Sequence, residues 1–243
     1  MKQEIRFDFK EVFDPEDYLY FYKSTLTPER LNAEIDFLIK HTELTSPLQI
    51  LDLECGHGRH ANVLAAKGHF VKGIDASEDF LKIAQEGAKQ MGVKVDYTQG
   101  DMGNFNYQDA FDRVYSLFTA IGYFNDVENE RVFRNIYRAL RPGGLFCFDS
   151  HNRDAFLTHI LPAIVSEREG NLMIDQFSFD TITGHNTTKR TVLRDKNFKT
   201  YEFSVRLYNP TEILRLFNEI GVKESLEKND CSRKKVNSVR WAA

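Results

Sequence analysis

The sequence predicts an α/β protein: a doubly wound, mostly parallel sheet with an antiparallel β insertion after the fifth strand. Three observations carry this expectation. Short apolar runs alternate with helical patterns from about residue 48 to residue 150, which is the signature of a parallel sheet covered on both faces. The first run, Leu48 to Leu53, ends in a glycine turn that opens a helix. After Ser150 the pattern changes to period-two alternation, with Ile174, Phe177 and Phe179, then Tyr201, Phe203, Val205 and Leu207.

The elements follow in order. Tyr18, Tyr20 and Tyr22 precede a helix that starts at Thr27-Pro28-Glu29, with Thr27 as N-cap and Pro28 in the first helical position. Its residues Leu31, Ile35, Leu38 and Ile39 recur at helical spacing. Strands are expected at Leu48–Leu53, Phe70–Ile74, Val93–Thr98, Phe111–Phe118 and Leu145–Asp149. Helices fall between them at Ala61–Lys67, Asp79–Met91 with Ser77 as cap, and Glu128–Leu140. Thr181-Ile182-Thr183-Gly184-His185-Asn186 reads as a turn between antiparallel strands. Thr211–Ile220 returns to helix and stops at Gly221. The basic end of the chain is poorly patterned, and no final strand is predicted there. The expected organisation is an N-terminal helical segment (1–45), a ligand-binding core (46–150), a substrate-covering insertion (151–207) and a closing segment (208–243).

Bulk properties narrow the function. The 243 residues suffice for one well-buried core, and 42% hydrophobic with 28% charged residues is ordinary globular composition. A net charge of -4 offers no basic footprint for a nucleic-acid backbone. No apolar stretch is long enough to cross a bilayer, and the interrupted, acidic start of the chain is unlike a secretory signal. Cys55, Cys147 and Cys231 form neither a disulfide framework nor a zinc pattern, so a cytoplasmic protein is expected, with monomer and homodimer both left open.

The chemistry begins in Asp52-Leu53-Glu54-Cys55-Gly56-His57-Gly58-Arg59. Glycine in such a turn lets a ligand approach the backbone, and the helix N-terminus behind it favours a carboxylate or phosphate. Gly56-x-Gly58-x-x-Ala61 also satisfies the dinucleotide fingerprint. Asp75, at the end of the second strand and followed by Ala76, is suited to accept hydrogen bonds from both hydroxyls of a ribose. That ribose occurs in NAD and in S-adenosylmethionine alike.

Two later features separate the ligands: Gln99-Gly100-Asp101-Met102 after the third strand and Leu140-Arg141-Pro142-Gly143-Gly144 before the fifth. With them the sequence resembles the class I, Rossmann-like S-adenosylmethionine-dependent methyltransferases, and within these the bacterial small-molecule branch that includes amino-sugar N-methyltransferases. The resemblance covers residues 15 to 225. It implies S-adenosylmethionine as cofactor, S-adenosylhomocysteine as product, and N- or O-methylation of a small metabolite. It implies that Asp75 holds the ribose, that Asp101 contacts the adenine amino group and that the Met102 backbone contacts the ring. The Glu54-Cys55-Gly56 backbone would lie beside the methionine portion, the Leu117 carbonyl would take its ammonium, and Tyr18 and Tyr22 would close over the cofactor. The chain departs from the family at Glu54, where a glycine is usual, and in its last residues, which lack the glycine- and proline-containing hairpin.

Methyl transfer needs alignment and exclusion of water more than acid–base machinery, because the sulfonium already activates the methyl group. Tyr123 and His151 follow the fourth and fifth strands and would face the acceptor, with His151 orienting it or taking its proton. His159 and His185 have weaker claims. Three other readings stand beside this one: methylation of tRNA or protein, a nicotinamide-dependent oxidoreductase, and a binding protein that retains the fold without turnover.

Overall fold

A computed structural model describes residues 12–225 and 237–242, with the backbone alone described for 223–225 and 237–242. The reading of the chain's start as unlike a secretory leader rests largely on residues 1–11, and the Cys231 thiol on residues 226–236; both lie outside the described residues.

Two N-terminal helices, α1 (Pro15–Phe21) and α2 (Pro28–His41), precede the alternating unit. Thr27 caps α2 as its sequence requires, its hydroxyl accepting the Arg30 N–H. Then come β1 (Gln49–Leu53), α3 (Arg59–Ala66), β2 (Phe70–Asp75), α4 (Glu78–Gln90), β3 (Val95–Gln99), β4 (Phe111–Ser116), α5 (Asp126–Ala139) and β5 (Leu140–Ser150). A short helix α6 (Arg153–His159) leads into β6 (Ala163–Arg168), β7 (Asn171–Asp180), β8 (His185–Arg194) and β9 (Asn197–Arg206). The chain returns through α7 (Pro210–Ile220), β10 (Lys223–Ser225) and β11 (Asn237–Ala242).

The seven-stranded sheet has the order β10-β11-β5-β4-β1-β2-β3, and the four strands β6 to β9 form a separate antiparallel sheet in sequence order. The strands β3-β2-β1-β4-β5 run parallel, as the alternation predicts. Side chains alternate across this sheet. Leu51, Leu53, Val114, Phe146 and Phe148 join α5 and α7 in one core. Ile50, Tyr115 and Cys147 point the other way into a second core with Ile35 and Leu38 of α2 and Ala61 and Leu64 of α3. Helices therefore cover both faces, and the strand order reverses between β1 and β4. Ligands of such sheets bind at that reversal, beyond the carboxyl ends of the strands.

Several element ends differ from the sequence expectation. β4 stops at Ser116 rather than Phe118, because Phe118 and Thr119 adopt positive φ of 68° and 56°. β5 is longer than expected and contains Arg141-Pro142-Gly143-Gly144. Phe111 pairs with Leu140 but Arg113 with Leu145, so this segment bulges out of the ladder. The strand β6 escaped the sequence pattern. So did β11, which pairs antiparallel with β5 from Asn237↔Ser150 to Ala242↔Leu145. Long-range backbone pairing onto an open sheet edge fixes that strand, and a local pattern does not report it.

The helix α7 shows how local chemistry sets a boundary. Asn209 and Glu212 form a reciprocal capping box, each side chain accepting the other's backbone N–H at 2.9 Å. Asn209→Ala should cost about 1 kcal/mol and lower the thermal midpoint by about 3 °C, measurable by calorimetry. An unchanged midpoint would mean that packing of Ile213, Phe217 and Ile220 alone fixes this helix.

Candidate functional site

The turn after β1 opens the site. Its two glycines serve different ends. A Cβ on Gly58 (φ +73°) would collide with the Tyr97 hydroxyl and with Ala84 Cβ at 2.7 Å, so this glycine lets α3 pack against β3 and α4. A Cβ on Gly56 (φ +54°) would meet nothing within 4 Å, so its bare backbone borders open space at the sheet's carboxyl end. Asp75, at the tip of β2, accepts the Gly56 N–H at 2.7 Å with one oxygen and the Ser77 N–H at 2.8 Å with the other. Each oxygen keeps a lone pair for a further donor. Burial raises the Asp75 pKa, while those two N–H groups work against the rise.

Glu54 is the unusual member of the turn. It is left-handed (φ +59°) although it carries a side chain. Its carboxyl lies in the same cleft as Asp75 and Asp101, and the N–H groups of Met102 and Ala76 bear on it. Burial, then Asp75 and Asp101, push its pKa well above the carboxylate range. Asp101 is exposed and accepts the Gly103 N–H at 2.6 Å, whereas Met102 is buried at the edge of the first core. Cys55 is a buried free thiol, and burial raises its pKa well above the ordinary value. Glu54, Cys55, Gly56, Gly58, Asp75, Ala76, Asp101 and Met102 thus gather where β1, β2 and β3 end.

Two buried polar atoms on side chains of opposite kind are left unsatisfied at this turn. Asp52 Oδ2 and Arg59 Nη2 are each buried with no hydrogen bond among the described residues. Burial pushes Asp52 up to about 7, and the Arg59 charge pulls the other way. Buried polar atoms are seldom left unmatched, and these two leave one acceptor and one donor open, as a ligand carrying both an ammonium and a carboxylate could use. Arg59 Nη1 is held by Glu34 at 2.6 Å, and Glu34 also binds Arg30 at 2.8 Å and His60 at 2.9 Å. Burial alone would raise Glu34, but hydrogen bonds from His60, Arg59 and Arg30 prevail and hold it at about 2. Burial and then Arg59 lower His57 to about 4, so this imidazole is neutral at neutral pH.

Aromatic rings wall the other side. Tyr18 of α1 lies 4.7 Å from Tyr22 between ring centroids, with Phe80 at 5.3 Å, Phe118 at 6.4 Å and His57 at 6.5 Å. Tyr22 accepts a hydrogen bond from Arg190 at 3.1 Å, and Arg190 grips Asp175 with two bonds at 2.7 and 2.8 Å. Tyr123 packs between Phe13 at 5.7 Å and Phe203 at 6.3 Å. Burial, then Tyr22, raise the Tyr123 pKa, so its phenol stays protonated at neutral pH. A small cavity bounded by Val12, Asp17, Tyr18, Tyr22, Arg190 and Tyr201 separates α1 from the antiparallel sheet. Leu117 precedes Phe118 at the end of β4 and packs on the second core.

His151 follows β5 as the sequence places it, and its ring lies against Phe156 at 5.8 Å. Burial lowers its pKa, which leaves it neutral and able to accept a proton. His159 at the end of α6 and His185 at the start of β8 bond to local groups only. The sequence reading missed Glu34, Arg59, Phe118, Asp149, Asp175 and Arg190. Arg59 was visible in the motif, but its ion pair with Glu34 spans 25 residues. Among the described residues no cluster of His, Cys, Asp and Glu can hold a metal ion, and no helix is long and apolar enough to cross a membrane.

Comparison with known proteins agrees with this geometry. The "Methyltransferase domain" family model matches residues 50–144. A ubiquinone biosynthesis O-methyltransferase of Rickettsia felis is 32% identical over 143 residues, 58% of this chain and 57% of the relative. A putative methyltransferase of a Geobacillus species is 30% identical over 141 residues, 56% of this chain and 57% of the relative. The chain therefore spans a little over half the length of these curated relatives. Among solved structures, an S-adenosylmethionine-dependent methyltransferase of Clostridium acetobutylicum superposes with a TM-score of 0.74 at 19% identity, covering 93% of this chain and 95% of that one. A SAM-bound amino pentose methyltransferase of Micromonospora echinaspora gives 0.68 at 15% identity, covering 100% and 99%. At such identities the structures speak for the fold alone, and the domain match speaks for residues 50–144. Residues 50–144 of the chain match a methyltransferase domain, and the whole shares the fold of solved S-adenosylmethionine-dependent methyltransferases.

Proposed function

We propose that this protein transfers a methyl group from S-adenosylmethionine to nitrogen or oxygen of a small, ring-shaped acceptor. The observation that carries the reading is the pairing of Asp75, with a free lone pair on each oxygen, with the unsatisfied Asp52 Oδ2 and Arg59 Nη2 across one glycine turn. A ribose on one side and an α-amino acid on the other would satisfy all three groups. These residues fit the cofactor, which when bound supplies the activated methyl group. Asp75 would hold the ribose, and Asp101, Ala76 and the Met102 backbone would border the adenine. Cys55, Gly56, Gly58 and the Leu117 carbonyl would line the methionine end. Tyr18 and Tyr22 would cover it, with the strands of 163–206 excluding water above the acceptor.

The acceptor side is largely aromatic. Rings of Phe13, Tyr18, Tyr22, Tyr123 and Phe203 favour a flat or ring-shaped acceptor over a flexible chain. The Tyr123 phenol would donate a hydrogen bond to the acceptor rather than withdraw its proton, and His151 would accept a proton only after the acceptor brings it into range. The relatives' own names include an O-methyltransferase and a methyltransferase of an amino pentose, which fits either acceptor atom.

A thermal-shift panel of S-adenosylmethionine, S-adenosylhomocysteine, NAD and NADP tests the cofactor. The two adenosyl amino acids should raise the midpoint through mass action, and a response to NADP alone would overturn the assignment. Methyl-transfer assays with phenols and amino sugars then test the acceptor class.

A further inference from the structure

The loop that follows β4 is held in a conformation its own residues disfavour. Phe118 and Thr119 both have positive φ, 68° and 56°, and Thr119 is β-branched. A single half-buried carboxylate imposes this shape. Asp149, near the end of β5, accepts the Phe118 N–H at 2.5 Å on one oxygen and the Thr119 N–H at 2.9 Å on the other. The Thr119 hydroxyl adds a bond to the Phe118 carbonyl at 2.7 Å.

The turned backbone seats the Phe118 ring at the junction of three elements. The Arg30 guanidinium of α2 lies 5.1 Å from the ring centroid and that of Arg59 of α3 lies 5.2 Å from it, both within cation–π range. Glu34 holds both guanidinium groups by ion pairs. The ring edges meet Tyr18 at 6.4 Å and Tyr22 at 6.1 Å. One aromatic ring therefore joins the arginine of the glycine turn to the tyrosines of the N-terminal helix, and Leu117 lies next to it in the chain.

We propose that Asp149 is a positioning residue for the methyltransferase site, locking the 117–119 turn so that Phe118 ties the cofactor turn to the tyrosines that cover it. The proposal rests on the cofactor reading above. Asp149 touches neither cofactor nor acceptor in this arrangement; it acts through the backbone it holds. The two N–H donors go to separate oxygens, and in an amide one of those positions would be an NH2 group that donates and cannot accept.

The test is the affinity for S-adenosylhomocysteine, measured by titration calorimetry in the full chain. Asp149→Asn should weaken binding about tenfold, the scale of loss expected when a supporting group shifts a site. Adding Thr119→Gly should restore most of that affinity, since glycine adopts the left-handed backbone without help. A merely structural role would not give rescue by a glycine that adds no contact. If Asp149→Asn does not fold, Phe118→Leu is the alternative variant. It keeps the carboxylate and its two bonds but removes the ring, and a similar loss is expected. Unchanged affinity in Asp149→Asn, or no rescue by Thr119→Gly, overturns the proposal. Failure of the unsubstituted chain to bind S-adenosylhomocysteine would instead overturn the cofactor reading itself.

Discussion

Asp75→Ala should lower the affinity for S-adenosylhomocysteine about a hundredfold while leaving the protein folded. The reasoning starts from the two free lone pairs on its carboxylate, whose other lone pairs are committed to the N–H groups of Gly56 and Ser77. Two ribose hydroxyls donating to a charged group contribute about 3 kcal/mol net, which is about a hundredfold in binding. The substitution also frees two backbone donors. Their loss should cost about 1 kcal/mol of stability, a drop of about 3 °C in the midpoint for a chain of this size. Calorimetric titration and a thermal melt on the same preparation separate these effects. Full affinity in Asp75→Ala would place the ribose somewhere else.

Glu54→Gly should act in the opposite direction, raising both stability and cofactor affinity. Three features of Glu54 are unfavourable together: a left-handed backbone on a residue with a Cβ, an enclosed carboxyl, and two neighbouring carboxylates. Glycine at such a φ is preferred by about 1 kcal/mol, and removing a poorly placed buried acid adds about as much again. The midpoint should therefore rise by about 6 °C at neutral pH. The pH dependence gives the sign. Because the folded pKa of Glu54 is raised, the native chain binds a proton that the unfolded chain has released, so stability falls as pH climbs above the ordinary carboxylate range. The advantage of Glu54→Gly should accordingly be small near about pH 4 and large near about pH 8. Affinity should rise by about tenfold or more, because the N–H groups of Met102 and Ala76 then face an open cleft. An equal or lower midpoint at the higher pH would show that Glu54 is a stabilising residue and not an obstruction.

Much of the site was legible in the chain. The glycine turn after β1, Asp75 at the tip of β2 and Asp101-Met102 after β3 each sit at the end of a strand that its own apolar run announces, and all converge on one cleft. Tyr18 and Tyr22 were readable as preceding the Thr27 helix, but the helix α1 that carries Tyr18 and the contact of both rings with Phe118 were not. The position of His151 after β5 was readable, and the contact of its ring with Phe156 was not.

By itself the sequence determined the alternation of strands and helices, their caps, the glycine turn and the carboxylate at the end of β2. These are local matters: side-chain periodicity, the φ that glycine permits, and a hydroxyl within reach of the next N–H. Only the tertiary structure decided which distant groups meet. Asp149 reaches the turn it holds across 31 residues, Arg59 meets Glu34 across 25, and β11 finds its register on β5 from the far end of the chain. Each of these contacts is selected by burial and by the pairing of groups that water no longer serves, and no short stretch of sequence records that selection.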